Sequence, residues 1–182
     1  MGGAVRRETG MSVAEYQVWI EDRPDDERWE LLDGEPLLTP LPNGLHQRIV
    51  KHLDALAERC DCHALPGLAV LSAVMDDFAP IPDIVVTCGP QRSDGYTRDP
   101  ILVAEVLSPS TMTNDLGRKT VFYRSVESLR TFLIVYQDEV RVEVWSRGDG
   151  WGMRGLGPDD VIDLPELGGT LAVADIYARV EF

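Results

Sequence analysis

One short segment constrains the fold of this chain more than any other: the run Ile101 to Leu107, which is apolar throughout except at Glu105. A continuous apolar run of this length is typical of a strand that is buried on both faces of a sheet. Helices must then cover both faces, so the run predicts an α/β domain with a central sheet. A carboxylate inside such a strand is costly unless it is paired or binds a metal ion, which makes Glu105 the first candidate site residue.

The order of the other elements supports this fold class. Ser12 and Glu15 form a capping-box pattern, which predicts a first helix from Val13 to Glu21. A hairpin at 28–38 follows, with its turn at Asp33-Gly34, and then an amphipathic helix at 46–60 and strands at 65–74 and 84–87. After the central strand, a helix is predicted from Asn114 or Asp115 to Val126, with Val121 and Phe122 on its buried side. The last predicted elements are a hairpin formed by 131–136 and 141–146 and short strands before a final turn at 174–179. We therefore predict an α/β (α+β) fold with a mixed central β-sheet flanked by helices.

Length and terminal sequence predict the domain organisation. A chain of 182 residues without an internal repeat or linker-like tract is expected to form one domain. We expect residues 1–11 to be a disordered N-terminal lead-in and residues 12–182 to be a single domain. The lead-in has two arginines but no apolar stretch after them, so it is not a secretory signal. No apolar run approaches the ~18 residues of a membrane-spanning helix, so the expected compartment is the cytoplasm and no membrane partner is expected.

The chain has three cysteines, which do not make a disulfide framework at this size. The cluster Cys60-Asp61-Cys62-His63 resembles half of a zinc site. A structural zinc site normally draws a second ligand pair from elsewhere in the chain, and the sequence offers none. We therefore expect Cys60, Cys62 and Cys88 to be buried or half-buried thiols.

The formal net charge of −14 argues against a nucleic-acid partner, since 31 acidic residues face 17 basic ones and phosphate binding normally needs an excess of Lys and Arg. A basic patch is still conceivable where Arg118, Lys119 and Arg124 fall within one short stretch. Net charge bears on association and not on fold. The simplest interpretation is a well-solvated acidic surface.

Three residues carry the candidate chemistry. Asp83 precedes the apolar strand Ile84-Val85-Val86, and Glu105 lies in the buried strand described above. Neighbouring strands that each present one carboxylate would form an oxygen site suited to Mg²⁺ or Mn²⁺. Lys119 lies one turn into the following helix and could orient an attacking water and offset charge on a phosphate. Alternatively, Asp83 accepts strand-opening hydrogen bonds, Glu105 is buried in a salt bridge with Lys119, and Lys119 is a surface side chain.

These residues lie in a pattern that resembles a known family. The pattern comprises Pro82-Asp83, the run Ala104-Glu105-Val106-Leu107-Ser108-Pro109-Ser110-Thr111, Asp115, and Lys119 to Tyr123, with Trp29 to Glu35 and His46 to Val50 upstream and Val142 to Trp145 downstream. It resembles the Uma-type restriction endonucleases, which belong to the PD-(D/E)XK nuclease superfamily and have long been catalogued as a domain of unknown function. The resemblance covers roughly Ser12 to Ser146 and keeps the order of every element.

The resemblance implies a restriction-endonuclease-like domain over 12–182 and assigns roles to its residues. Asp83 and Glu105 would be metal ligands, helped by the Val106 carbonyl, and the catalytic set would be Asp83, Glu105 and Lys119. The superfamily's usual lysine position holds Leu107, so the lysine would come from the next helix. The implied cofactor is Mg²⁺ or Mn²⁺, the implied substrate is DNA, and a homodimer is expected, with the apolar stretch Thr170 to Phe182 as its interface.

The expected function is that of a metal-dependent DNA endonuclease. Two alternatives stay open: a catalytically silent scaffold of the same fold that binds protein, which the acidic charge favours, and an enzyme acting on a small phosphoester, which would need a closed pocket. Other polar residues receive weaker roles. His46 is read as a surface or capping group, Glu30 or Glu35 as a conceivable extra acid, and Ser108 to Thr111 as a turn, since no Gly-x-Ser-x-Gly elbow is present.

Overall fold

The computed structural model describes residues 10–39, 44–90, 93–107 and 115–178. Most of the expected lead-in, the turn Ser108 to Thr111 and the alternative helix cap Asn114 lie outside the described residues. The side chain of His46 lies outside them as well.

Helices form close to the predicted positions. The capping box of the first helix is present, because Ser12 Oγ accepts from the Glu15 amide while the Glu15 carboxylate accepts from the Ser12 amide. The α-helices are α1 (Val13–Ile20), α2 (Gly44–Ala57), α3 (Asp115–Ser125) and α4 (Val173–Ile176), and short 3₁₀ turns follow at Glu58–Cys60 and Pro165–Leu167. None of the helices among the described residues is long and apolar enough to cross a membrane.

A mixed sheet forms the centre of the molecule, as predicted. The strands are β1 (Arg28–Leu32), β2 (Glu35–Thr39), β3 (Cys62–Leu65), β4 (Ala69–Val70), β5 (Ile84–Cys88), β6 (Tyr96–Thr97), β7 (Pro100–Leu107), β8 (Thr131–Tyr136), β9 (Val142–Ser146), β10 (Gly152–Leu156), β11 (Val161–Leu164) and β12 (Gly169–Ala172). Six of these described strands form the central sheet in the order β10-β9-β8-β7-β5-β3. Only β7 and β8 run parallel within it, and the chain connects them through α3.

Both faces of the central sheet are covered, which explains the continuous apolar sequence of β7. On one face, Leu53 and Ala57 of α2 pack with Ala104 and Val106 in a core that also includes α4. On the other face, the α3 residues Phe122 and Tyr123 pack against alternate strand residues such as Val103. Side chains alternate along a strand, so Glu105 lies on the α3 face together with Val103.

The hairpin β1–β2 packs outside this sheet and contacts the segment that leads into β5. Its turn is Asp33-Gly34, as predicted, with a positive φ at both residues. The amide and carbonyl of Leu31 exchange hydrogen bonds with those of Ala79, at 3.2 and 2.8 Å. This contact brings a distant part of the sequence next to Asp83.

Two details of the predicted elements are wrong. The strand expected at 65–74 is instead the end of β3 and the two-residue β4, because the chain turns at Pro66-Gly67 and leaves the central sheet. Val121, expected to be buried, has an exposed fraction of 63%, whereas Phe122 is fully buried. Adjacent helix residues point about 100° apart, and the direction of Val121 lies outside the arc that buries Phe122 and Tyr123.

The expectation of three thiols is also wrong. Cys62 and Cys88 form a disulfide, because the antiparallel register of β3 and β5 places them directly opposite each other with their Cα atoms 3.9 Å apart. Cys60 is a free, exposed cysteine. No group of three or more His, Cys, Asp or Glu residues in the described part of the chain is arranged to hold a metal ion, and this includes the Cys60 to His63 cluster.

The expected dimer interface at Thr170 to Phe182 is not an exposed apolar surface in its described part. Leu171, Val173, Ile176 and Tyr177 are all buried in the core on the α2 face. Residues 179–182 lie outside the described residues. Homodimer formation stays a prediction, without this segment to support it.

Replacing Phe122 by Ala should destabilise the protein by about 3–5 kcal/mol, since the large buried side chain would leave a cavity beneath the stacked ring of Phe78. Urea unfolding would measure the change. The matched control is Val121→Ala on the same helix, expected to stay within about 0.5 kcal/mol of wild type because the side chain is largely exposed. Equal losses in the two variants would contradict this packing of α3.

A buried carboxylate and lysine cluster as the candidate functional site

Glu105 is a buried carboxylate on the α3 face of β7, with an exposed fraction of 7%. Its Oε1 accepts a 2.6 Å hydrogen bond from the Tyr123 hydroxyl and lies 3.3 Å from the Lys119 ammonium. Burial, together with the charges of Asp83 and Glu30, raises the pKa of Glu105 to about 7 against the opposing effects of the Lys119 charge and the Tyr123 hydrogen bond. A carboxyl group with such a pKa exchanges protons near neutral pH.

Asp83 lies next to the carboxyl end of β7. Its Oδ2 accepts a 2.8 Å hydrogen bond from the amide of Val106, and its Oδ1 lies 3.8 Å from Nη1 of Arg28. The strand-opening role considered for Asp83 is therefore partly realised, since it bonds the backbone of the neighbouring strand. Its charge also contributes to the raised pKa of Glu105, which places the two carboxylates in one electrostatic environment.

Lys119 lies between two carboxylates. Its Nζ is 2.9 Å from Oε2 of Glu30 and 3.3 Å from Oε1 of Glu105, and its side chain has an exposed fraction of 12%. Burial by itself lowers the pKa of Lys119, but the carboxylates of Glu105 and Glu30 outweigh this effect and raise the pKa above its ordinary value. Lys119 is thus a buried cation and not part of a basic surface. Of the three basic residues that could form a patch, Lys119 is buried in this cluster and Arg118 is paired with Asp33 at 2.6 Å.

Glu30 belongs to this cluster, although the sequence analysis did not prefer it over Glu35. It has an exposed fraction of 5%, and its Oε2 also accepts from the amide of Ile81 at 3.2 Å. Glu35 lies on β2 and is exposed. The signal that distinguishes them is the one that marked Glu105: Glu30 lies within an apolar strand, between Trp29 and Leu31.

Tyr123 is the second residue that the sequence did not single out for a role. Its ring is buried in the core on the α3 face, and burial together with the Glu105 carboxylate raises the pKa of its hydroxyl well above the ordinary value. The hydroxyl therefore stays protonated and donates to Glu105. Nothing in the sequence pattern of α3 distinguishes this tyrosine from an ordinary core residue.

The oxygen donors of the cluster suit a hard divalent cation better than they suit zinc. Glu30, Asp83 and Glu105 supply carboxylates, and no thiolate or imidazole takes part in the described contacts. The three carboxylates are not drawn together around one point, which agrees with the lack of a preformed metal cluster in the described residues. The ammonium of Lys119 instead bridges Glu30 and Glu105. The donor chemistry fits Mg²⁺ or Mn²⁺, provided that Lys119 shifts.

Comparison with known proteins identifies the family of this chain. Residues 13–174 match the Uma2 family, which is described as putative restriction endonuclease. The chain belongs to the Uma2 family. An uncharacterized protein of Synechocystis sp. is 28% identical over 180 residues, covering 94% of each chain.

A solved structure has the same fold as this Uma2 protein. It is the crystal structure of a putative nuclease belonging to DUF820 from Anabaena variabilis, with a TM-score of 0.70, 17% identity, and coverage of 92% of this chain and 98% of that one. The match confirms the predicted restriction-endonuclease-like fold class. It does not test the roles of individual residues.

Replacing Lys119 by Met should destabilise the protein by about 3–5 kcal/mol near pH 8, because Glu30 and Glu105 would lose their shared buried cation. Adding Glu105→Gln should recover part of the loss, since one uncompensated charge is removed. Thermal or urea unfolding of the single and double variants measures this coupling. The control is Arg124→Met, at an exposed position on the same helix. If Lys119→Met lowers the free energy of unfolding no more than this control does, Lys119 and its two carboxylates are solvated and the prediction is wrong.

The raised pKa of Glu105 predicts a pH-dependent stability of the metal-free protein. The folded state binds the Glu105 proton more tightly than the unfolded chain does. The contribution of this proton to the free energy of unfolding is therefore complete below about pH 4.5 and is lost as the pH rises through about 7. Glu105→Gln cannot ionise and should therefore gain relative to wild type between pH 5 and 8, by up to roughly 3 kcal/mol. Urea titrations in EDTA would measure both profiles, and parallel profiles would contradict the prediction.

Proposed function

We propose that this chain is a DNA endonuclease that depends on Mg²⁺ or Mn²⁺ and hydrolyses phosphodiester bonds with water as the nucleophile. One observation carries the proposal: a buried carboxylate on a central strand, Glu105, adjoins both a second acid, Asp83, and a buried lysine, Lys119. Membership in a family of putative restriction endonucleases supports the reaction class.

Asp83 and Glu105 would hold the cation in this mechanism, with the Val106 carbonyl as a further oxygen. The Val106 amide donates to Asp83, and since the amide and carbonyl of one strand residue point to the same edge, the carbonyl would lie on the side of the strand where Asp83 lies. Glu30 adds a third carboxylate within reach of Lys119. A divalent cation lowers the pKa of a water molecule and polarises the phosphodiester.

Lys119 would act on the substrate once it is released from one of its carboxylates. Its ammonium would orient the attacking water and compensate the negative charge that develops on the phosphoryl oxygens. Tyr123 keeps Glu105 oriented through its 2.6 Å hydrogen bond. The same bond favours the ionised form of Glu105, which is the form that binds a cation.

The proposed compartment is the cytoplasm, where the substrate DNA would be encountered. The Cys62–Cys88 bond is the feature that argues against it, because cytosolic proteins seldom keep disulfides.

A specific observation favours the silent scaffold as the second candidate. A cavity of about 420 Å³ beside α1 is lined by Asp33, Asp76 and Asp77 together with apolar Met11 and Met75. An acidic and apolar lining of this kind would suit a basic protein segment and not DNA. In this reading the Lys119 bridge is a structural salt bridge.

Manganese binding and DNA cleavage by the same variants test the proposal. Calorimetry should show that wild type binds Mn²⁺ and that Asp83→Ala and Glu105→Ala weaken binding by at least about 100-fold, since direct ligands cost at least as much as the groups that orient them. Nicking of plasmid DNA should be lost in parallel. Asp163→Ala, at an exposed position on β11, is the control and should behave as wild type.

Circular dichroism must show that each variant is folded. Absence of Mn²⁺ binding by wild type, even with a DNA oligonucleotide present, would remove the basis of the nuclease mechanism and favour the scaffold. Binding without cleavage of any DNA form would direct attention to a small phosphoester substrate.

A further inference from the structure

Arg28, at the start of β1, has a buried guanidinium that is bonded to the backbone just before Asp83. Its Nη2 donates to the carbonyls of Ile81 and Pro82, each at 2.9 Å, and its side chain has an exposed fraction of 12%. Its Nε is buried and has no hydrogen-bond partner among the described residues. A buried donor without a partner costs free energy, so the arrangement of this guanidinium is not the one that best satisfies its own hydrogen bonds.

The same guanidinium faces the Asp83 carboxylate. Nη1 of Arg28 lies 3.8 Å from Oδ1, while Oδ2 of the same carboxylate accepts from the Val106 amide at 2.8 Å. Asp83 is therefore held from two directions, by the hairpin β1–β2 on one side and by β7 on the other. A planar guanidinium can bond two carbonyls and face a carboxylate at once, which a lysine ammonium on a flexible stem does not reproduce.

Other contacts also dock the hairpin. Leu31 and Ala79 already join β1 to the segment before β5 through two backbone hydrogen bonds. Glu30 adds a further bond to the amide of Ile81. The hydrogen bonds of Arg28 lie closer to Asp83 in the sequence, because their acceptors are the carbonyls of the two residues that precede Asp83.

We propose that Arg28 is a positioning residue that fixes the 81–83 backbone and the Asp83 carboxylate in the orientation required to bind a divalent cation beside Glu105. The inference deepens the proposed function and rests on it for the identity of the bound group. Charge alone predicts the opposite effect, since a guanidinium near the site repels a cation. Removing Arg28 should therefore weaken metal binding if geometry dominates and strengthen it if only charge matters.

The chain contains a matched control in Arg147. Its guanidinium also bonds two carbonyls, those of Leu129 and Val126, each at 2.7 Å. Arg147 packs over the ring of Trp151, and among the described residues its contacts involve none of the acids in the cluster. Arg147→Met thus removes the same kind of contact without touching Asp83.

The experiment compares Arg28→Met, Arg28→Lys and Arg147→Met with wild type. The readouts are urea unfolding, Mn²⁺ affinity by calorimetry, and amide hydrogen exchange of Val106 by NMR in metal-free protein. We expect both Met variants to lose stability. Only the two Arg28 variants should bind Mn²⁺ about 10–100-fold more weakly and exchange the Val106 amide at least about tenfold faster.

The outcomes separate this inference from the proposed function. Unchanged or tighter Mn²⁺ binding by Arg28→Met, or affinity restored by Arg28→Lys, overturns the positioning role while the metal site stands. If wild type binds no Mn²⁺, the proposed function fails, and Val106 exchange alone decides whether Arg28 positions Asp83. Faster exchange in Arg28→Met but not in Arg147→Met then supports the positioning role, and equal exchange in all variants overturns it.

Discussion

The burial of one carboxylate determines how the elements around the central sheet are arranged. Glu105 lies in a strand covered on both faces, where an isolated charge would be costly. Two groups of α3 satisfy the Glu105 carboxylate, the hydroxyl of Tyr123 and the ammonium of Lys119. The same ammonium also pairs with Glu30 of β1. The helix and the hairpin thus each contribute a charged side chain to the cluster beside this strand.

A second buried glutamate shows that this arrangement is not the simplest way to satisfy a charge. Glu143 on β9 lies in the same row of the sheet as Glu105, with Ile134 between them. Its partners are Tyr136 and Arg141, which belong to the same hairpin. Glu143 is thus compensated within its own hairpin, whereas the cluster around Glu105 combines α3 with Asp83 before β5 and, through Lys119, with Glu30 of β1. Such long-range convergence of titratable groups is more typical of a functional site than of a structural ion pair.

The parts of this structure that the sequence predicted are those with local signals. The strands around Val85, Val103 and Leu133 follow from apolar runs, the turn at Asp33-Gly34 from its residue types, and the first helix from its capping box. A charge within an apolar strand marked Glu105, and Asp83 and Lys119 were placed near it through the order of the elements.

The parts that the sequence missed depend on contacts between distant segments. The pairing of Leu31 with Ala79 brings Glu30 and Arg28 to the cluster, and no local pattern predicts that pairing. The Cys62–Cys88 disulfide likewise depends on the register of β3 against β5. Val121 was misplaced because helical spacing over a short, weakly amphipathic segment does not determine which of two adjacent apolar residues is buried.

The acidic character of the chain and the proposed substrate can be reconciled at the cluster itself. Glu30, Asp83 and Glu105 outnumber the nearby cations Arg28 and Lys119 by one when all are ionised, so the metal-free cluster repels phosphate. With a divalent cation bound, the net charge of the cluster would become positive. The Glu30 and Glu105 carboxylates would then be shared between the cation and Lys119, so that the Lys119 ammonium would be available to the substrate. In the proposed mechanism, DNA affinity at this site therefore depends on the metal and not on a basic surface, which a chain with a net charge of −14 is poorly equipped to supply.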